Sequence, residues 1–469
     1  MQIDFNYKCG IMKGNMIMNI NLTERLDDFW VYPKLTNALD KRSYDDSFFD
    51  FLEEKEAQDK RKTNLYIHIP FCDSKCSFCP YYKSYNINST EDIIKTYIDS
   101  LVIEMKKYSD TNFFDNKKIS SVHFGGGNPF LLPIKYLYQL VEAIHNYFNI
   151  EHNDNWTIEG SINTIKSKTY LSELKKLGIV RASIGIQTLN SELRKELGIK
   201  SKLTEIYHGI DLFNDTGFDE YCIDLMYNLP NQTTDNFIND IIEVDKLNPY
   251  HIDIYNLALF PNTSLFNNVY KNKIFDILPS NERKIEMYCE ADKWFNSNNY
   301  YNLTTNTYGK RQKEIHIGDK LYLNNCNVLG IGASSRGYIS GHAYKNVCDI
   351  YEYIDEINQQ NFPANLSKIL TKEQDSNRRM VFFPILMKIN KNDIPDSIDY
   401  TKQINLLIEN KLVEWNEDNL CLTKKGKIWS GNISTLFMDN SSWNEYLQSF
   451  LFAERYKLNP YNEDKMGIY

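Results

Sequence analysis

Three cysteines within eight residues, Cys72-x-x-x-Cys76-x-x-Cys79, are the densest chemical feature of the chain. They follow directly on a β-prone segment, Leu65 to Pro70. Three thiolates at this spacing on one loop can ligate three irons of a 4Fe–4S cluster and leave the fourth iron open to an outside ligand. A zinc site would want a fourth Cys or His at ligand spacing. His68 is near but sits inside the β-prone segment, and no second CxxC pair follows. The other cysteines, Cys9, Cys222, Cys289, Cys326, Cys348 and Cys421, stand singly, and an odd total of nine does not read as a disulfide framework.

The remaining chemistry-bearing residues fall where strands should end. Gly125-Gly126-Gly127-Asn128-Pro129 follows a short strand, SSVHF, and precedes a helix. Backbone bare of side chains there can hydrogen-bond the amino and carboxylate groups of a small zwitterion, although glycines also serve plain turns. Glu159 closes WTIE and can take the two hydroxyls of a ribose, as acids do in nucleotide sites. Gln187 and Asp224 close later strands; a surface or helix cap is the plain alternative, and for Asp224, between Ile223 and Leu225, burial with a partner. His68 is either a donor near the cluster or a satisfied barrel histidine.

These residues need an alternating scaffold. Leu65–Pro70, SSVHF, WTIEG, RASIGIQ, EYCIDLMY and HIDIYNLAL read as strands. Between them Thr90–Tyr108, Lys135–Phe148, Thr169–Leu177, Ser191–Leu197, Leu203–Asp215 and Asp235–Lys246 read as helices. Strand followed by helix, repeated five or six times, predicts parallel strands with crossover helices. The expected class is α/β: a partial (β/α)6 TIM-like barrel, with its chemistry at the C-terminal ends of the strands. The expected division is an N-terminal extension over 1–60, the barrel over 61–300, a barrel-completing segment over 301–365 and a C-terminal accessory domain over 366–469. The last shows helix, hairpin, helix (Gln403–Glu409, Leu412–Trp415, Leu420–Leu422, then KKGKIW), a winged-helix-like α+β pattern.

Composition narrows the function. Over 469 residues the net charge is −9, which argues against a general nucleic-acid backbone binder. An aromatic share of 14%, with 33 Tyr, suits a pocket for a flat organic substrate, and equally suits a codon bias toward Tyr. No stretch approaches the roughly 18–20 apolar residues of a membrane span, and the best run, Val381–Met387, is interrupted by Pro384. No secretory signal is evident, so the protein is expected in the cytoplasm.

Tyr66-Ile67-His68-Ile69-Pro70-Phe71-Cys72, the cysteine trio with Phe78 before its last member, and the Gly-Gly-Gly-x-Pro loop resemble the radical S-adenosylmethionine (SAM) superfamily. More narrowly they resemble its branch around oxygen-independent coproporphyrinogen III oxidase. Ser183–Gln187, Ile223-Asp224-Leu225, Asn228-Leu229-Pro230-x-Gln232-Thr233 and Leu247-Asn248-Pro249 add to this, so the resemblance runs from about residue 60 to 350 and resumes at Leu422-Thr423-x-x-Gly426. Thr157–Gly160, Gln187–Asn190, Asp253–Leu257, Phe260-Pro261-x-Thr263 and Leu329–Ala333 look most similar to the anaerobic haem-degrading radical SAM methyltransferases.

The resemblance implies a cluster held by Cys72, Cys76 and Cys79 that cleaves SAM to a 5′-deoxyadenosyl radical. It places a first SAM against Tyr66, Gly126 and Glu159. A second would lie against Phe78, Gly127, Asn128, Gln187, Asp224 and Ala258. The implied activity is radical methyl transfer to a flat unsaturated substrate such as haem, opened to a linear tetrapyrrole. Alternatives are methylation or cyclopropanation of a natural product, coproporphyrinogen decarboxylation, and non-catalytic haem binding or delivery. The implied partners are a small-molecule substrate, haem or another tetrapyrrole or an aromatic metabolite, and an electron donor such as flavodoxin or ferredoxin. Three positions depart from the pattern. Asn128 stands for a Thr, Ile199 for an arginine that helps hold the second SAM, and Pro80-Tyr81-Tyr82-Lys83 lacks the extra Cys of the porphyrinogen oxidase.

Overall fold

The computed structural model describes residues 59–443, apart from 85–90, 152–155, 166, 219, 261–262 and 311–314, together with 46–53 and ten scattered positions between 20 and 35. Cys9, Pro261 and most of the expected N-terminal extension lie outside the described residues.

The first half alternates as the pattern predicts: β1 (Thr63–Ile69), α1 (Glu91–Ser109), β2 (Lys118–Gly126), α2 (Ile134–Tyr147), a two-residue β3 (Asn149–Ile150), β4 (Trp156–Gly160), α3 (Lys168–Lys176) and β5 (Ile179–Gln187). There follow α4 (Ser191–Glu196), α5 (Leu203–Asp215), β6 (Glu220–Tyr227), α6 (Thr234–Lys246) and β7 (His251–Asn256). Local chemistry sets the ends. Asn190 accepts from the Glu192 and Leu193 amides to start α4, and Thr233 with Asn236 forms a reciprocal cap on α6. Each helix buries one stripe; in α1 it is Tyr97, Ile98, Leu101, Met105 and Tyr108.

Strands β1-β2-β4-β5-β6-β7 are parallel neighbours in that order, the six-stranded barrel wall. The expected strand HIDIYNLAL stops at Asn256. Its partner β6 ends at Tyr227, where Asn228 turns away with a φ of 65°, so Leu257-Ala258-Leu259 has no ladder to join.

The second half extends the wall at both edges. After α7 (Ser264–Asn272) and α8 (Asn281–Ser297) come β8 (Tyr301–Asn302) and β9 (Thr307–Gly309), the latter antiparallel to β7. Then α9 (Ile317–Leu323) leads to β10 (Asn327–Ile331), parallel to β1, and to the antiparallel β11 (Arg336–Ile339), β12 (His342–Asn346) and, after α10 (Ile350–Asn358), β13 (Ala364–Ile369). The order begins at β13 and ends at β8, so among the described residues the wall stays open.

The C-terminal part is α11 (Lys372–Leu386), β14 (Lys388–Asn390), α12 (Thr401–Glu409), β15 (Val413–Asn416), β16 (Asn419–Leu422), α13 (Lys424–Ile428) and α14 (Ser430–Thr435), with a sheet ordered β14-β16-β15. This is the winged-helix-like arrangement. Pro384 lies inside α11, in its last turn, where the missing donor costs a single bond. The apolar run therefore packs: Met380 to Phe383 and Ile385 are buried with Leu323, Tyr338 and Leu366, joining this module to the β11–β13 edge. Arg25, buried, donates to the Tyr227 hydroxyl and the Ile428 carbonyl and lies 4.2 Å over the Tyr288 ring, tying the barrel to α13. No helix among the described residues is long and apolar enough to cross a membrane.

Candidate active site

β1 delivers the cysteine loop, and the loop is held at both ends. The Cys72 amide donates to Ser84 O at 3.2 Å and the Ser84 amide to Pro70 O at 2.7 Å. Further along, the Ser77 amide reaches Leu197 O at the end of α4, and Ser77 O accepts from Leu265 in α7. Lys200 donates to Asp73 O. Burial pushes the Cys72 thiol above its usual value and that of Cys76 up to about 11, while Lys83 opposes both; Cys72, Cys76 and Cys79 also act on one another. Three thiols on one short loop can supply thiolates to a metal centre, whose binding releases their protons. The donor set fits a 4Fe–4S cluster.

β2 ends beside this loop. The Gly126 amide donates to Glu159 Oε1 at 2.8 Å. Gly126 has a φ of 123°, and a Cβ there would stand 2.8 Å from Ile69 O. A Cβ on Gly125 would meet Glu159 Oε1 and the Tyr66 ring at 2.7 Å each, and one on Gly127 would meet Phe71 O at 2.6 Å. The triplet is thus bare because β1 and β4 press on it. Glu159 Oε2 lies 3.4 Å from His123 Nε2. Burial raises the Glu159 pKa, but the contact with His123 and the Gly126 N–H outweigh it and hold the group below the usual range. Tyr66 stacks on His123, with centroids 5.7 Å apart, and its hydroxyl meets His68 Nδ1 at 3.0 Å. Burial lowers the His68 pKa to about 4, so the ring is neutral. The structure brings Tyr66, Gly126 and Glu159 together.

The expected second group divides. Gln187, at a φ of 64°, folds its amide over Gly185, and its Oε1 is buried without a protein partner. Asp224 Oδ2 accepts from Ser183 Oγ at 2.8 Å while Oδ1 has no partner. Phe78 and Ile199 pack together against Leu193, Leu197, Leu229, Leu257, Leu265 and Val269. Gly127 donates its amide to Ile69 O, and half-buried Ala258 lies in the loop after β7. Asn128 is 0% exposed, its Oδ1 accepts from the Ser161 amide, and its Nδ2 reaches Asp73 and Thr164 at 3.4 and 3.3 Å. It works as a brace between the cysteine loop and the turn after β4.

Three features escaped the sequence reading. His123 lies two residues before Gly125, the spacing that puts both on one strand face, and that parity could have found it. Tyr81, 62% exposed, and Tyr255, 36% exposed, carry the largest exposed side chains beside the cysteine loop and at the end of β7. Glu104 on α1 accepts from the Gly332 amide, Tyr353 Oη and Asn346 Nδ2, while Tyr97 Oη accepts from the Ala333 amide, fixing the loop after β10 against β1. Burial raises the Glu104 pKa to about 7.

The family model described as the radical SAM superfamily matches residues 66–242, the span from Tyr66 through the cysteine loop, Glu159, Gln187 and Asp224. Residues 66–242 thus form a radical SAM domain, and the chain has homologues in the coproporphyrinogen oxidase-like branch. The heme chaperone HemW of Buchnera aphidicola is 29% identical over 390 residues, covering 80% of this chain and 98% of the relative. That of Bacillus subtilis is 26% identical over 384 residues, covering 80% and 99%. The oxygen-independent coproporphyrinogen III oxidase of Escherichia coli is 24% identical over 409 residues, covering 82% and 88%. The solved structure of the Escherichia coli coproporphyrinogen III oxidase shares the fold, with a TM-score of 0.71 at 22% identity, over 87% of this chain and 96% of that one.

Proposed function

We propose that this radical SAM protein handles a tetrapyrrole of the haem type at the open mouth of its barrel. The observation that carries the reading is that curated haem chaperones align over 97–99% of their own length with a chain that keeps the whole cysteine loop. The motif likeness to haem-degrading methyltransferases has only short runs behind it. Haem binding and delivery is therefore the reading preferred here over methyl transfer.

Cys72, Cys76 and Cys79 would hold the cluster, and Tyr66, Gly126 and Glu159 one SAM. When bound, the cluster and SAM would supply one-electron chemistry able to abstract a hydrogen atom from a substrate. Glu159, already aligned by the Gly126 amide and His123, would meet a ribose with little rearrangement, which is what preorganisation means energetically. The Tyr81 and Tyr255 rings offer apolar faces to a planar macrocycle. A low-potential electron donor of the flavodoxin or ferredoxin class would reduce the cluster.

A second reading uses two SAM molecules, for methyl transfer or porphyrinogen decarboxylation. It is favoured by the buried, unpartnered Gln187 Oε1 and Asp224 Oδ1. It is opposed by Ile199, which puts an apolar side chain, packed against the Leu193–Leu197–Leu229 cluster, where the resemblance expects a cation. Anaerobically reconstituted protein titrated with haem separates these readings. Haem bound without loss of its Soret band supports carriage. Haem consumed with formation of S-adenosylhomocysteine supports methyl transfer, and carbon dioxide released from coproporphyrinogen III supports decarboxylation. The absence of both binding and turnover with haem and with coproporphyrinogen III would overturn the proposal.

A further inference from the structure

On the neighbouring strands β6 and β7, three buried side chains converge. Cys222 and His251 are register partners on β6 and β7, and Asp253 follows two residues later on the same face. One ligand atom from each, a sulfur, a ring nitrogen and a carboxylate oxygen, lies within 4.8 Å of the others. Among the described residues this is the group so arranged. The group of Tyr66, Gly126 and Glu159 does not include it, although Asp253 is the register partner of Asp224.

The cluster's donors and acceptors do not balance. Arg181 Nη2 stands 2.7 Å from His251 Nε2, and Asp253 Oδ2 stands 3.3 Å from the same nitrogen. With one proton state, Nε2 can accept from the guanidinium or donate to the carboxylate, not both. Among the described residues the ring's other nitrogen, Nδ1, is buried without a partner, as are Arg181 Nε and Asp253 Oδ1, although the Asp253 carboxylate also meets Thr307. Buried polar groups left unmet in this number cost several hydrogen bonds' worth of desolvation, so they point to a missing member.

We infer that Cys222, His251 and Asp253 bind a single borderline divalent cation of the zinc class. Thiolate, imidazole and carboxylate together suit such an ion, and three protein ligands leave one coordination position for another group. Charge is accommodated. The ion would meet one thiolate and one carboxylate, and Arg181 would turn to Asp319, whose carboxylate is half-exposed and already 3.6 Å from Nη1. Asp319 lies on α9, which reaches across this end of the barrel and accepts from Asn64 Nδ2 through Gly318 O. That gives the site a solvent-facing rim by which an ion can enter.

Zinc and iron are counted separately on full-length protein reconstituted with its cluster and desalted. About one zinc per chain is expected beside the iron, as for a single site. In the Cys72→Ala, Cys76→Ala, Cys79→Ala triple variant, which has no cluster to compete, added Co2+ should give a sulfur-to-cobalt charge-transfer band. Adding Cys222→Ser should abolish that band, and His251→Gln should lower zinc occupancy at least tenfold with iron unchanged. Should Cys222→Ser fold poorly, Asp253→Asn serves, with melting temperature recorded with and without Zn2+. Zinc retained in these variants, or no zinc in supplemented wild-type protein, would leave only a buried ionic cluster and overturn the inference. Either result is independent of haem binding.

Discussion

The two flanks of the barrel lumen are finished to different degrees. On the β1-β2-β4 flank the protein supplies nearly every polar partner itself: Tyr66 to His68, Gly126 to Glu159, Glu159 to His123, and His123 to Thr157. On the β5-β6-β7 flank Gln187 Oε1, Asp224 Oδ1 and Asp253 Oδ1 are buried and unmet. A flank whose groups are already paired binds by preorganisation, and its mutants should lose affinity outright. A flank with unmet acceptors waits for a ligand to complete it, and its mutants should alter which ligand binds.

The largest effect lies at the loop that joins the flanks. Replacing any one of Cys72, Cys76 or Cys79 by Ala should abolish cluster retention and SAM cleavage. Iron content and 5′-deoxyadenosine formation read this directly. If Cys348→Ala removed iron equally, the three-cysteine assignment would fail. Next comes the paired flank. Glu159→Ala should weaken SAM binding about ten- to a hundredfold, the worth of a charge-assisted hydrogen bond of roughly 1.5–3 kcal/mol, with iron unchanged. Calorimetric titration of SAM checks it, and an unchanged dissociation constant would make Glu159 a partner of Gly126 and nothing more.

The sequence exposed the paired flank better than the unmet one, for a physical reason. Cys72, Gly126 and Glu159 belong to contiguous motifs whose spacing is fixed by one strand and its following turn, so local pattern carries them. Asn128 belongs to such a motif too. Yet its side chain braces Ser161, Asp73 and Thr164 as well, a contact no motif encodes, because a side chain's direction depends on what packs beyond it. The Cys222–His251–Asp253 group needs β6 and β7 in register, and no sequence period encodes register between strands some thirty residues apart. The segment over 301–365 is expected to complete the barrel, but its individual strands β10 to β13 pair outside the strand–helix alternation and carry no such local signal. The six-stranded wall and the winged-helix-like module were legible because hydrophobic period and turn residues agree there.

A pH test probes how firmly the β10 loop is fixed to the paired flank. Burial raises Glu104 to about 7 from an ordinary 4.5. A carboxyl whose folded pKa is raised opposes folding once it must ionise. Its penalty is absent below about pH 4.5, grows through that window and is complete above about 7. The wild-type chain should therefore lose stability from this group between about pH 4.5 and 7, by about 3 kcal/mol. Glu104→Gln should flatten that slope, as read from denaturant midpoints across pH. An unaltered slope would mean that the loop at Gly332 opens to let water reach Glu104.

The smallest effect decides to which flank Asn128 belongs. Its Oδ1 receives the Ser161 amide, and its Nδ2 makes two long contacts, at 3.4 Å to Asp73 and 3.3 Å to Thr164. Asn128→Ala leaves a buried amide N–H unmet and removes a brace under the cysteine loop. The expected cost is about 1–2 kcal/mol in stability, the range for one buried donor without a partner. The count of SAM molecules bound at saturation should not change, because no atom of Asn128 is exposed to the lumen. Asn128→Thr should recover little, since its hydroxyl is shorter and cannot span from Ser161 to Asp73. Denaturation midpoints and equilibrium dialysis of SAM, measured on the same preparations, separate the two roles. A variant of unchanged stability that lost one bound SAM would move Asn128 to the unmet flank, and would strengthen the reading in which two SAM molecules share the lumen.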